Sequence, residues 1–312
     1  MTGMSTLTAD WQDYALLDSG QGRKLERFGP VTLIRPEAQA SWQPALPRAD
    51  WDAAHAVFEA SSQNGGRWLP RQPLPPRWEM GYGALRFWVQ ASQSRQVGLF
   101  PENAVHWDWI AAQIRHASQP LRVLNLFGYT GLATLSAAQA GAHVTHVDAA
   151  KKAVLWARDN QALSGLHQRP IRWIVEDALS YLRREARRGV RYHGIVLDPP
   201  AFGRGPGGEV WSFDRLFGAL CDACRALLAD EASFIVATVY TQGVTPATLA
   251  AALTGMTRGR AGQVTSGELA TLERSAGRLL RNAFYARWQA KSPTSEVAER
   301  PSGASHRRNQ VD

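Results

Sequence analysis

Five consecutive residues, Asp198-Pro199-Pro200-Ala201-Phe202, carry the most specific chemistry in the chain. The carboxylate of Asp198 and the carbonyl of Pro199 offer two acceptors for the hydrogens of an amine. That leaves the nitrogen lone pair free to attack an electrophile held opposite. Two successive prolines stiffen the segment and remove competing N–H donors, and Phe202 supplies a ring on which a base can stack. Upstream, two aspartates end apolar runs. Asp148, followed by Ala149, lies 17 residues beyond Gly131, where an acid can accept hydrogen bonds from both hydroxyls of a ribose. Asp177, followed by Ala178, is placed to contact an adenine amino group. Singly, each aspartate is better read as a helix N-cap. Together, in this order and with a glycine turn before them, they read as a nucleoside-cofactor site.

That turn is Asn125-Leu126-Phe127-Gly128-Tyr129-Thr130-Gly131, an apolar strand running into a helix. Gly128 and Gly131 are expected to let the backbone pass closely beneath a ligand, and the helix start presents free N–H groups to a carboxylate. The spacing matches neither the dinucleotide fingerprint nor a P-loop.

Elements that can position these residues alternate strand and helix from residue 120 onward, the sign of a mainly parallel sheet. Strands are expected at Arg122–Leu126, His143–Asp148, Ile171–Glu176, Gly194–Asp198 and Ser233–Val239, with two more around Val264–Thr265 and Ala283–Trp288. Helices are expected near 131–140, 150–163, 178–188, 213–229 and 245–254. The chain therefore reads as an α/β protein: an N-terminal β-rich, Trp-rich region (1–118), a Rossmann-like domain (119–290) and a mobile polar tail (291–312). Within the first region short runs between glycine turns suggest hairpins up to residue 40. Trp51–Ala60 reads as a helix, 61–80 as proline-punctuated connection, and Leu85–Val89 and Val97–Phe100 as strands. A helix after Pro101 buries Trp107, Ile110, Ala111 and Ile114.

Charge is uneven. Residues 1–120 carry 11 Lys and Arg against 11 Asp and Glu, whereas 121–290 carry 20 against 13. A basic catalytic half suits a phosphate-bearing substrate. Arg204, in the glycine-rich stretch Gly203–Gly208 that reads as a flexible lid, is the substrate candidate nearest the chemistry. The cluster Arg183, Arg184, Arg187, Arg188 and Arg191 reads equally as a phosphate grip or a solvated helix face. No apolar run reaches the length of a membrane span, and residues 1–10 lack the pattern of a signal peptide. The two cysteines, Cys221 and Cys224, fall inside a helical pattern and read as packed residues, which fits a reducing cytoplasm. His143 and His146 read as half-buried residues on one strand face, and the histidines show no ligand spacing, so no metal is expected.

The order of these motifs resembles class I S-adenosylmethionine-dependent methyltransferases. Val147-Asp148-Ala149-Ala150-Lys151-Lys152-Ala153 through Trp156-Ala157-Arg158-Asp159-Asn160, with the Asn125–Gly131 turn, is similar to the bacterial large-subunit ribosomal-RNA methyltransferase group. Leu17-Asp18-Ser19-Gly20, Arg23–Gly29 and Val97–Glu102 resemble the same subgroup, so the likeness covers most of residues 12–288. It implies a Rossmann-like seven-stranded sheet, S-adenosylmethionine as cofactor and an RNA substrate, ribosomal RNA first. Asn125, Phe127, Gly128, Tyr129, Thr130 and Gly131 would hold the methionine end, Asp148 with Ala149 the ribose, and Asp177 with Ala178 the adenine. Asp198, Pro199, Pro200 and Phe202 would orient the acceptor. Carbon-5 methylation of cytosine requires a nucleophilic cysteine. The relatives with that activity carry it after the fifth strand, where this chain has Val236–Thr241, so transfer to a base nitrogen is favoured. Methylation of protein or DNA, and a non-catalytic RNA-binding module on the same fold, are the alternatives.

Overall fold

The computed structural model describes residues 5–61, 65–92 and 94–291; from 292 on, the tail expected to be mobile lies outside the described residues. The chain opens with β1 (Ser5–Leu7), β2 (Tyr14–Gly20), β3 (Arg23–Phe28), β4 (Val31–Pro36), α1 (Arg48–Asp52), β5 (Ala56–Ala60), β6 (Gly66–Pro70), β7 (Trp78–Tyr82) and β8 (Leu85–Val89). Strands β2 to β6 form a five-stranded sheet in chain order, and β7 and β8 a hairpin. A 3-10 turn at Pro101–Asn103 leads into α2 (Ala104–Arg115). Strict alternation follows: β9 (Arg122–Leu126), α3 (Leu132–Gln139), β10 (His143–Asp148), α4 (Lys151–Leu163), β11 (Ile171–Val175), α5 (Ala178–Arg187) and β12 (Gly194–Leu197). The hairpin β13 (Phe202–Arg204) and β14 (Val210–Ser212) precedes α6 (Phe213–Ala226), β15 (Phe234–Val239), α7 (Pro246–Met256) and the long hairpin β16 (Gly262–Leu272) and β17 (Leu279–Ala290).

The main sheet has the order β1-β16-β17-β15-β12-β9-β10-β11. From β11 to β15 neighbours are parallel, and β17 is inserted antiparallel between β15 and β16. Seven of these strands are the expected sheet. The eighth, β1, adds parallel to β16 with Ser5 opposite Gly267, where a larger side chain would collide with the Ser5 carbonyl. Three residues, Ser-Thr-Leu, are too few to show a strand period.

Each central strand is apolar on both faces because helices cover both. Leu124, Leu126, Ile195, Leu197, Ile235 and Ala237 point to one side, against Leu182 of α5, Leu220 and Cys224 of α6 and Leu253 of α7. Val123, Val196 and Val236 point to the other, against Ile110 and Ile114 of α2 and Ala137 and Ala138 of α3. The two-residue period thus assigns every core side chain to a layer.

The N-terminal region shares a core with this domain. Trp11, Phe28, Met80 and Phe87 pack in one cluster with Trp107 of α2 and Leu132 and Leu135 of α3, so packing does not break at residue 118. The expected helix Trp51–Ala60 is replaced by the short α1 and by β5, which pairs parallel with β4 and antiparallel with β6. The cross-strand pair Phe58 and Trp68, with rings 5.3 Å apart edge to face, accounts for the preference. It also turns part of the expected connection 61–80 into strands β6 and β7. Val97–Phe100 is not a strand, because Gly98 takes φ of +108°. His143 and His146, three apart on β10, point to opposite faces: His143 is exposed and His146 fully buried. Among the described residues no helix is long and apolar enough to cross a membrane.

Candidate active site

The strand order reverses between β9 and β12, and a crevice opens beyond their carboxyl ends. A cavity of about 540 Å³ lies there, lined among others by Phe127, Tyr129, Asp148, Ala149, Asp177, Ala178, Asp198, Pro200 and Arg204. Asp148 is fixed by two backbone donors, Tyr129 N–H to Oδ2 and Ala150 N–H to Oδ1, both at 2.8 Å. Burial raises its pKa, and these two hydrogen bonds oppose the rise. Each oxygen keeps a lone pair for a further donor, as a vicinal diol requires. Asp177 caps α5 through Ser180 N–H at 2.9 Å and also lines the cavity, so the cap and the cofactor contact are compatible readings of one residue.

The turn that orients Asp148 is strained. Phe127 and Tyr129 sit at φ of +57° and +49°, a left-handed conformation costing roughly 1–2 kcal/mol per non-glycine residue. Ring packing offsets that cost: Phe127 on Trp211 at 4.9 Å, and Tyr129 on Phe100 at 5.7 Å. The glycines also permit close internal packing: a Cβ on Gly128 would strike the His146 ring, and one on Gly131 would lie 2.8 Å from Ala157 Cβ.

Asp198, at the end of β12, is half-buried and held from the side of β15. Its Oδ2 accepts from Asn103 Nδ2 at 3.3 Å, and that amide also donates to Tyr240 Oη at 3.1 Å. Thr238 Oγ1 donates to Asn103 Oδ1 at 3.2 Å, which fixes the amide orientation. Tyr240 donates onward to Glu102 Oε1 at 3.0 Å. Burial and then the nearby Glu102 push the Asp198 pKa up to about 8, with the Asn103 hydrogen bond pulling the other way. Burial likewise raises Glu102. Trp211 Nε1 donates to the Pro200 carbonyl at 2.6 Å and pins the double-proline segment.

Not every expected site residue reaches the cavity. Asn125, Gly128 and Thr130 line a smaller pocket of about 60 Å³ behind the turn. Asn125 Nδ2 is bound to Thr134 at 2.9 Å and Thr130 Oγ1 to the Gly98 carbonyl at 2.5 Å, so both side chains brace the turn. Gly131, Pro199 and Phe202 line neither pocket. Phe202 is 59% exposed: along β13, Gly203 faces inward beside Trp211 while Phe202 faces out. The stretch expected to act as a lid belongs to the β13–β14 hairpin, with Gly205 N–H donating to the Glu209 carbonyl at 2.8 Å. Of the arginine cluster, Arg184 pairs with Glu176 and Arg188 with Glu185. Cys221 and Cys224 are free and buried in α6. Phe100, Glu102, Asn103, Trp211 and Tyr240 were absent from the sequence-derived site. The resemblance of Val97–Glu102 and the position of Tyr240 just after the fifth strand were the available signals.

An open α/β sheet with antiparallel β17 inserted beside β15, and acids following β10 and β12 at the rim of one cavity, is the arrangement of a nucleoside-cofactor-dependent transferase. Residues 3–252 match the family model described as S-adenosylmethionine-dependent methyltransferase, and the chain belongs to that family. It is 42% identical to the SAM-dependent methyltransferase from Agrobacterium tumefaciens, with a TM-score of 0.89 over 92% of this chain and 94% of that one. A methyltransferase solved with SAH shares the fold at TM-score 0.67 and 19% identity, over 86% of this chain and 71% of that one. Among curated proteins it is similar to Ribosomal RNA large subunit methyltransferase K/L of Chromohalobacter salexigens, at 35% identity over 62% of this chain and 27% of the relative. The same enzyme of Pseudomonas paraeruginosa is 33% identical over 71% of this chain and 31% of the relative. The chain thus spans less than a third of the length of these curated relatives. The cavity, the diol-ready Asp148 and the capped Asp177 fit S-adenosylmethionine, which supplies an electrophilic methyl group on a positively charged sulfur.

Proposed function

We propose that the protein methylates a base nitrogen in RNA, with ribosomal RNA as the first substrate to test. The observation that carries the reading is Asp198, held by the Asn103 amide, which also donates to Tyr240, at the edge of the cofactor cavity. One of the Asp198 oxygens is committed to the Asn103 amide; the other, once the group ionises next to the positive sulfur of the cofactor, accepts a hydrogen from an acceptor nitrogen. Held this way, an amino group directs its lone pair across the cavity, a positioning effect that depends on rigidity more than on proton removal. A nitrogen acceptor is supported over carbon 5, because both cysteines are packed in α6 and neither lines the cavity. RNA is supported by the ribosomal-RNA names of the curated relatives and by the basic surplus of residues 121–290.

The test is incubation of purified protein with tritiated S-adenosylmethionine and separate pools of ribosomal RNA, transfer RNA, DNA and protein. Labelled nucleosides would then be resolved by mass spectrometry. Label in an N-methylated ribonucleoside supports the reading. Label confined to protein or DNA, or a carbon-methylated base, refutes it.

A further inference from the structure

A second cavity adjoins the first on the side away from Asp148 and Asp177. This cleft of about 360 Å³ runs between the Arg35–Gln39 segment, the residues following β15, and Arg281–Phe284 of β17. It shares Arg95, Gln96, Phe100 and Tyr240 with the cofactor cavity. Strand order explains why it is there. Asp148 and Asp177 lie beyond β10 and β11, on one side of Asp198, whereas Tyr240 follows β15, on the other. A methyl acceptor must reach Asp198 from the side the cofactor leaves free.

We propose that this cleft receives the target nucleotide of a single-stranded RNA segment, its base at the Phe100 and Tyr240 rings and its flanking phosphates on Arg95 and Arg281. The inference rests on the RNA reading above and adds the place of entry. Phe100 and Tyr240 lie 5.2 Å apart at a 43° tilt, at the junction of the two cavities, and offer an unstacked base an aromatic face. The hydroxyl of Tyr240, bound to Glu102 and Asn103, places polar groups beside that face. The inner cations are committed: Arg35 to Glu26, and Lys24 to Glu26 and Glu37. The rim cations are freer. Arg95 is exposed and has no acidic partner among the described residues, and Arg281 is exposed, with a surface pairing to Glu268 at 3.3 Å and its guanidinium 5.0 Å from the Phe284 ring centre. Two guanidiniums on opposite rims of a polar cleft suit phosphates on either side of an inserted base.

The probe is a fluorescein-labelled single-stranded RNA oligonucleotide from ribosomal RNA, followed by anisotropy across a salt series, with S-adenosylhomocysteine affinity measured by calorimetry. The double variant Arg95→Gln/Arg281→Gln is expected to bind RNA about tenfold more weakly and to lose about 1.4 from the slope of log affinity against log salt, two single-strand phosphate contacts. Because Arg95 lines both cavities, the cofactor control is Arg281→Gln alone, at a residue that lines only the cleft: it should weaken RNA binding and keep S-adenosylhomocysteine affinity within twofold. Ala38→Trp, a bulky residue on the exposed wall, should weaken RNA binding likewise and spare the cofactor. The control Arg183→Gln/Arg187→Gln removes equal charge from exposed positions on α5 that line neither cavity. If the control lowers affinity and slope while both cleft variants behave as wild type, the cleft is not the entry and the RNA reading stands. If the wild type binds RNA no better than an acidic peptide and labels none, the RNA reading falls and the cleft proposal with it.

Discussion

Replacing Asp198 by Asn should make the protein more stable and inactive at once, and the stability gain should depend on pH in a defined direction. In the native protein the carboxyl group keeps its proton to about pH 8, chiefly because it is buried and next to Glu102; in the unfolded chain it ionises near 3.8. Between these values the unfolded state has released a proton that the native state retains. Native stability therefore falls as pH rises from about 4 to about 8, and levels off above. At roughly 1.4 kcal/mol per tenfold change in proton affinity, the interval bounds the penalty at about 6 kcal/mol. The side chain is only half-buried at the edge of an open cavity, so a realistic figure is about 2–3 kcal/mol. An amide carries no such penalty and can still accept from Asn103. For a chain of this length, Asp198→Asn should raise Tm by about 4–6 °C at pH 8, with the gain shrinking toward zero near pH 4.

Calorimetric melts of both proteins from pH 4 to 9 measure the effect. A second readout comes from ligand charge. S-adenosylmethionine carries a positive sulfur and S-adenosylhomocysteine does not, so the wild-type preference for the former should grow as pH rises through about 8. The variant should show no such growth. A Tm difference that is flat with pH, or a variant less stable at pH 8 than wild type, would mean that Asp198 is already ionised when native. The account of its environment would then be wrong.

Three further outcomes follow from the same contacts. Asn103→Ala removes the amide that holds Asp198 and should lower kcat by up to about 100-fold. Its cofactor affinity should change little, and the pH limb assigned to Asp198 should move upward, since that hydrogen bond lowers its pKa. Arg278→Met strips the partner from Glu273 and Asp18, both essentially inaccessible, and should cost about 3–5 kcal/mol in denaturant melts. Phe202→Ala, at an exposed position outside the cavity, should leave Tm and S-adenosylhomocysteine affinity unchanged; a large loss of cofactor affinity would place the ring inside after all.

The sheet was legible because its central strands are short apolar runs, and both β9 and β10 fall where the sequence places them. Asp148 and Asp198 were legible for the same reason, since each follows a buried run; Asp177 comes after Glu176 and a half-exposed strand and was legible only from its place in the motif order. The other half of the site was not. Asn103 lies 95 positions from Asp198 and 137 from Tyr240, and no local pattern announces a hydrogen bond across that distance. The error over 51–60 has the opposite cause. Its alanines favour a helix locally, but β4 and β6 offer Ala56–Ala60 two strand partners, and tertiary pairing overrides propensity. Phe202 could have been placed from alternation alone, since neighbours along a strand face opposite ways.

The segment that completes the site is itself held by the cofactor half of the domain. The Gly98 carbonyl accepts from Thr130 Oγ1 in the glycine turn, and the Trp156 ring of α4 occupies the space where the Gly98 side chain would be. Trp156 Nε1 in turn donates to the Trp88 carbonyl at 3.0 Å. Asn160, one turn further along α4, bridges Trp88 N–H and the Thr130 carbonyl at 2.8 and 3.0 Å. One helix thus ties β8, the turn before α3 and the chain leading to Glu102 and Asn103. Gly98→Ala tests the tie without touching any group in either cavity. At φ of +108° an added methyl is strained and meets the indole, so Val97–Asn103 must shift. The expected result is a kcat loss of the same order as Asn103→Ala, up to about 100-fold, with a modest drop in Tm. Wild-type kcat together with a lowered Tm would show that Asn103 keeps its place without this brace, and that α4 serves stability alone.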